Sequence, residues 1–318
     1  MITAKVITDS ISKHTSQRIT TFELEYPRFI HSELMTHRLF SRNSASSRAI
    51  PINTMIQLIE KNPAMPIHWG QNQSGMQAKQ EVSQDLKEDA VFFWDAAKND
   101  AIASAKCLSG VGIHKQIVNR LLEPFQYIKV LVTATDFNNW FNLRLHPDAQ
   151  PEIQELAKVM YEALSLSEPM ELSYGEWHLP YIERERDEEG LLNYFVYKED
   201  NILREQVKYY LKLTEAQKIS CSCAAQVSYR KQDMSIEKAI NIYDKLVNSE
   251  PVHASAFEHC ATPIHKVYYE YGMVDFGTLV EGITHINTSM QACSGNFTNW
   301  IQYRQLIPNH DCKEFALE

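Results

Sequence analysis

The chain has 318 residues, 44% hydrophobic and 22% charged, with a formal net charge of −9. That is enough apolar material for one elaborate domain or two small ones with a sizeable core. The negative balance argues against general binding to nucleic acid polymers or anionic membrane surfaces, which draw on a summed positive field, so an anionic ligand has to be held by a local cluster. No apolar run approaches the ~18 residues of a membrane helix, and the start, Met-Ile-Thr-Ala-Lys, lacks a signal peptide's apolar core, so a cytoplasmic protein is expected. Six scattered cysteines fit reduced thiols better than a disulfide framework. Cys221-Ser-Cys223 lacks the spacing of a zinc knuckle, and no metal is expected there; Gly110-Val-Gly112 lacks the third glycine of a dinucleotide fingerprint.

In chain order, residues 18–26 alternate Phe22, Leu24 and Tyr26 with Thr21, Glu23 and Glu25, which predicts a strand with one wet face. Pro27 ends it and can open a helix. On that helix Glu33 and His37 share a stripe, so the triplet Thr36–Arg38 would lie at its far end with the imidazole facing Glu33. The stretch Met35–Pro51 then concentrates Arg38, Arg42 and Arg48 with Ser41, Ser44, Ser46 and Ser47. Guanidinium forks and small hydroxyls suit a phosphate. On composition alone a solvated Ser/Arg loop explains the stretch too, and an RNA-contacting segment would need more positive surroundings.

Residues 51–75 read as a loop with a short helix near Ile56–Lys61, and 77–107 as one long or two short helices. A helix is expected over Lys115–Leu122, with Arg120 one turn before Pro124, then a buried strand over Tyr127–Thr133. Asp136–Arg144 looks helical with Phe137 and Phe141 inward and Asn139, Asn142 and Leu143 on an adjacent face. Local capping accounts for such asparagines as readily as a ligand does. Glu152–Leu164 carries Ile153, Leu156, Ala157, Met160 and Leu164 at helical steps after Pro151. The charge run Glu183–Glu189 predicts a solvated loop. Helices are expected near Ile202–Leu211, Glu215–Gln226 and Ser235–Val247, the last capped by Ser235. Pro251–His259 is short and polar, and Asn296–Arg304 is an aromatic segment suited to a return to the core. There is no repeat, low-complexity tract or clear linker.

Thr36-His37-Arg38, seven residues, Ser46 and then Arg48 resembles the signature of flavin-dependent thymidylate synthases, Arg-His-Arg, seven residues, Ser, with Thr36 in place of the first arginine. Three further stretches resemble the same family. They are Asn142-Leu-Arg144 with Ala149-Gln-Pro-Glu-Ile153, then Ala224-Ala-Gln-Val-Ser-Tyr229, then His253-Ala-Ser-Ala-Phe-Glu-His259. In the family the last two precede the arginine-serine signature, whereas here they lie near the carboxyl terminus. The resemblance therefore implies a circularly permuted member. Its expected fold is α+β, a mixed or antiparallel sheet flanked by helices, as a single catalytic domain with insertions near 51–110, 165–215 and 264–318.

Carried over position by position, the resemblance implies that His37, Arg38 and Leu39 hold FAD with Asn139, Ser228, Ser255 and Glu258. Ser46, Ser47 and Arg48, with Arg120 and Arg144, would bind the nucleotide: Arg48 and Arg120 at its phosphate, Arg144 near the base. Arg144 and Ser46 would be the catalytic residues. Glu33 and Ser44 stand where the family more often has glutamine and glutamate, beside the nucleotide pocket. The implied reaction is reductive methylation at C5 of dUMP with 5,10-methylenetetrahydrofolate, FAD and NADPH, in a homotetramer. The alternatives are a flavin-dependent hydroxymethylase acting on dUMP or dCMP, and a non-catalytic nucleotide- or RNA-binding protein.

Overall fold

Two-residue alternation builds the central sheet, and both of its faces are covered. The structure, a computed structural model, describes residues 1–199, 205–227, 235–265 and 280–314. β1 (Thr3–Ser12) and β2 (Arg18–Pro27) pair antiparallel; β3 (Ser41–Ser44), β4 (Tyr127–Ala134) and β5 (Met170–Leu172) complete the order β3-β4-β2-β1-β5, with only β5 running parallel to its neighbour. The sheet is therefore mixed and flanked by helices, the α+β architecture expected.

One face is apolar. Phe22, Leu24 and Tyr26 of β2 stand beside Val132, Val130 and Ile128 of β4 and pack on Ile30, Leu34, Trp140, Ile153, Leu156 and Met160. Each such side chain contributes about 1.5–3 kcal/mol on burial. The covering helices are α1 (His31–Leu34), α5 (Asn138–Arg144) and α6 (Pro151–Ser165); between them in sequence come α2 (Ile52–Lys61), α3 (Gln84–Gly110) and α4 (Lys115–Val118), and later α7 (Leu213–Ala225) and α8 (Ile236–Val247). Ser235 caps α8 by accepting from the Lys238 amide at 3.2 Å.

The opposite face is polar and stays wet at its Glu25–Lys129 end, but around Thr21 it is dry, which corrects that part of the reading of β2. Thr21 and Thr133 are fully buried there, because residues 177–184, α7 and the 3-10 helix Ala254–His259 cover them. Burial without water demands internal partners. A chain of hydrogen bonds supplies them: Ser10 Oγ to His178 Nδ1 (2.9 Å), His178 Nε2 to Thr21 Oγ1 (2.8 Å), Thr21 to Thr133 (2.7 Å) and Thr133 Oγ1 to His259 Nδ1 (2.8 Å). Arg184 can only donate, and it does so to Ser10 Oγ at 2.7 Å. The direction that leaves fewest groups unpaired then runs from Ser10 to His259, whose Nε2 has no partner among the described residues.

Several other expectations change. The helix after Pro27 is only a 3-10 turn, Arg28–Ile30, followed by the four residues of α1, so Thr36–Arg38 lies beyond the helix end; the Thr36 hydroxyl donates to the Glu33 carbonyl there at 2.7 Å. Residues 183–189 are not simply a solvated loop. Glu183–Arg186 is β6, which pairs with β7 (Leu192–Glu199) and then β8 (Gln206–Leu211), because Arg184 has acceptors to reach across on β1. β8 also replaces the helix expected to Leu211: Val207, Tyr209 and Leu211 alternate with Lys208 and Tyr210, and the two-residue period prevails. Residues 202–204 of that expectation lie outside the described residues. The Lys115–Leu122 helix is α4 alone, continued as a 3-10 helix over Asn119–Phe125 that accommodates Pro124. In α5 the fully buried ring is Trp140, while Phe141 is only half-buried. β9 (Ala261–Pro263), β10 (His285–Ile286), β11 (Ala292–Ser294), β12 (Phe297–Thr298) and β13 (Trp300–Gln302) form two small sheets, and Phe297 and Trp300 do return to the core. Among the described residues no helix is long and apolar enough to cross a membrane, and no group of three His, Cys, Asp or Glu could hold a metal.

Candidate active site

Edge strand β3 organises the site because it joins the two ends of the chain. Its register against β4, Ser41 opposite Thr133 and Asn43 opposite Leu131, sends Ser41 and Asn43 to the polar face. There Asn43 Nδ2 donates to the Ala224 carbonyl at the end of α7 (3.2 Å), and Ser41 Oγ donates to Asn296 (3.1 Å). The 3-10 helix Ala254–His259 packs on both β3 and β4. Gln302 Nε2 reaches the Glu258 carbonyl at 3.4 Å and Ser41 Oγ at 3.2 Å. The segments around His37 and Glu258, remote in sequence, thus share one neighbourhood.

The loop before β3 is shaped by Arg42, which donates from Nη1 to the carbonyls of Met35 (2.7 Å) and His37 (3.2 Å). These bonds turn the chain so that the His37 ring faces α5. Arg144 Nε donates to His37 Nε2 at 3.0 Å, and Arg144 Nη1 lies 4.0 Å from Glu33. His37 does not face Glu33 directly; Arg144 stands between them. Because His37 accepts at Nε2, its neutral ring carries the proton on Nδ1. Trp140 meets that ring edge-on at 4.7 Å and Phe40 stacks on it at 5.7 Å. Burial, then the Arg144 and Arg42 charges, lower the His37 pKa from 6.5 to about 4.

Nearby, Tyr26 Oη bonds His31 Nδ1 at 2.8 Å, and burial with Arg28 and Arg42 lowers His31 to about 4 as well. Burial alone takes His259 to about 3. Between pH 6.5 and about 4 the unfolded chain binds these protons and the folded chain does not, so stability rises with pH across that window. The urea midpoint is therefore expected to be highest above pH 6.5 and to fall continuously towards pH 4; a midpoint flat from pH 7 to 5 would contradict it.

On the far side of β3, Ser47 is buried and its hydroxyl donates to Glu123 Oε1 at 3.1 Å. Arg120 Nη1 meets the same oxygen at 3.1 Å, and Asn119 Nδ2 holds the loop through the carbonyls of Ser47 (2.8 Å) and Ile50 (3.0 Å). Arg48 is exposed with no partner among the described residues. Ser46 follows β3 in the same turn, half-buried. Arg38, Leu39, Asn139 and Ser255 are exposed, and Glu258 is ion-paired with Arg304. Ser228 and Tyr229 lie outside the described residues.

Thus His37, Arg144 and Glu33 form one cluster, Ser47 and Arg120 another, and burial lowers the Arg42 pKa while the Glu258 carboxylate, on the Arg42 side of the loop, opposes that shift. Arg42, offered by the sequence with Arg38 and Arg48 to an anion, spends Nη1 on backbone carbonyls instead, while Glu123 and Arg304, which the structure brings to this neighbourhood, carry no local sequence signal. Beside Glu33 opens a cavity of about 1070 Å³ whose walls include Phe29, Trp94, His68 and Gln154. Part of it comes from the segment read as an insertion.

Among the solved structures similar to this chain are two of one enzyme. One is a UMP/dUMP methylase PolB from Streptomyces cacaoi bound with 5-Br UMP, at 20% identity and TM-score 0.44, covering 52% of this chain and 89% of that one. The other is the same methylase bound with 5-Br dUMP, at 18% identity and TM-score 0.43, covering 52% and 90%. No curated protein matches the chain. The model of one family, described as thymidylate synthase complementing protein, matches residues 5–170, just over half of the chain, from within β1 through the arginine-serine loop to the first residue of β5. The chain belongs to that family and is a thymidylate synthase-like methyltransferase.

Proposed function

We propose that this protein methylates C5 of dUMP reductively, with FAD, NADPH and 5,10-methylenetetrahydrofolate. Besides family membership, the observation that carries the reading is the hydrogen bond from Arg144 to His37 at 3.0 Å, which joins α5 to the motif loop at the edge of β3. The donor set suits a flavin: exposed Leu39 offers an apolar contact, and Arg38, Asn139 and Ser255 have donors with no hydrogen-bond partner among the described residues. When bound, the flavin carries reducing equivalents from the nicotinamide, and the folate supplies the carbon.

The chain's own residues position and polarise. Arg144, held by neutral His37 and by Glu33, keeps a fixed positive charge for the pyrimidine carbonyl, which stabilises negative charge as C5 becomes nucleophilic. Ser46, Ser47, Arg48 and Arg120 receive the phosphate and so hold the base against its reaction partner. The contacts of β3 with Ala224 and with the 3-10 helix Ala254–His259 support a circularly permuted single domain in which residues near the carboxyl terminus, with Ser255 and Glu258, complete the flavin side. The exposure of Arg38, Leu39, Arg48 and Asn139 supports a homotetramer with sites shared between subunits.

The deciding experiment incubates the purified protein with FAD, NADPH and methylenetetrahydrofolate against dUMP, UMP and dCMP, and reads product mass. A methyl product from dUMP is expected; a hydroxymethyl product would show a divergent hydroxymethylase, and a colourless protein without turnover would overturn the reading. Arg48→Ala is expected to weaken dUMP binding more than about tenfold, the loss of a charge-assisted hydrogen bond. Calorimetric titration checks it, and an unchanged affinity would remove Arg48 from the phosphate subsite.

A further inference from the structure

Glu123 has an unusual position for a carboxylate beside a phosphate subsite. A single oxygen, Oε1, receives Ser47 Oγ at 3.1 Å, Arg120 Nη1 at 3.1 Å and Arg28 Nη2 at 3.0 Å. Two guanidiniums and a serine hydroxyl converging on one anionic oxygen is the donor set a phosphate oxygen takes. The elements that present them are unrelated in sequence. Arg28 begins the 3-10 turn after β2, with its amide bonded to the Gln126 carbonyl at 2.9 Å, Ser47 sits in the loop pinned by Asn119, and Arg120 and Glu123 share the 3-10 helix Asn119–Phe125.

The charges are unbalanced. One carboxylate faces Arg28 and Arg120, with Arg48 next to Ser47 and without a partner among the described residues. The Arg28 and Glu123 side chains keep only 18% and 23% of their surface exposed, so their interaction is only partly screened, whereas Arg120, at 57%, is free to swing. Arg28 belongs to none of the recognised motif positions.

We propose that Arg28 is a further guanidinium of the phosphate subsite, and that Glu123 is its internal occupant, displaced by the phosphate of the nucleotide. This rests on the reading of Ser46–Arg48 as the place where a nucleoside monophosphate binds. The carboxylate keeps the donors gathered while no ligand is bound, and a dianion takes them over because it offers more charge and more acceptor oxygens. Glu123 consequently sets a threshold: a ligand with a phosphate can displace it, and an unphosphorylated nucleoside cannot.

The test titrates dUMP, and deoxyuridine in competition with labelled dUMP, into the full chain and its variants Arg28→Ala, Arg28→Gln, Glu123→Gln and Arg48→Ala. Loss of the internal competitor is expected to tighten dUMP binding by Glu123→Gln roughly two- to fivefold, the upper range for one partly exposed ion pair, with deoxyuridine unchanged. Both Arg28 variants are expected to weaken dUMP more than about tenfold and to leave deoxyuridine unaffected. A gain in affinity is a result that misfolding cannot mimic. Weakened or unchanged dUMP binding by Glu123→Gln, or Arg28 variants that leave dUMP unaffected, would overturn the proposal. If Arg48→Ala still weakens dUMP in that case, the phosphate subsite stands and only the exchange fails; if no arginine variant affects dUMP, the substrate reading fails with it.

Discussion

Arg144→Ala is expected to lower kcat/KM for methylation of dUMP by about 10²- to 10³-fold, the loss seen when one preorganised donor to a developing charge is removed. The reason lies in how that guanidinium is held. Arg144 ends α5, donates to His37 Nε2 at 3.0 Å and stands 4.0 Å from Glu33, so its charge is fixed before substrate arrives. Arg144→Lys is expected to lose activity too, since an ammonium lacks the planar fork needed to serve His37 and a pyrimidine together. Steady-state kinetics with dUMP as the varied substrate check this. A fall in kcat larger than the rise in KM would place the interaction in the transition state, and a loss confined to KM would reduce Arg144 to ground-state binding.

Trp140→Ala is expected to destabilise the fold by about 3–5 kcal/mol, the cost of emptying a large core site that the surroundings only partly refill. Trp140 is 1% exposed and meets His37 at 4.7 Å and Phe40 at 5.6 Å between ring centres. Its removal leaves the imidazole without one wall, so the His37–Arg144 bond loosens with the core. Urea unfolding would show a large drop in midpoint at nearly unchanged slope. A variant with wild-type stability would mean that the ring does not support the site.

The comparison of pattern with structure separates by the range of the interactions. The apolar alternation of Phe22, Leu24 and Tyr26, the helical steps from Ile153 to Leu164 and the Ser235 cap are local signals, and each became the element expected. The arginine-serine stretch and the Asn142–Ile153 segment carried the family, and they lie within the matched residues. Expectations failed where a partner elsewhere decides. Thr21 looked wet because nothing near it in sequence announces His178; Arg184 looked solvated because its acceptors lie on β1. Gln206–Leu211 became a strand because β7 offered a ladder.

Sequence alone therefore determined the family and the main strands and helices of the central sheet, since short-range periodicity and motif order are written along the chain. Only the tertiary structure decided that Arg144 stands between Glu33 and His37, that Glu123 collects Arg28, Arg120 and Ser47, and that Glu258 comes to the loop before β3. The physical reason is that a hydrogen bond or ion pair acts over a few ångströms of space, whatever the number of residues between its partners, and folding alone sets that distance.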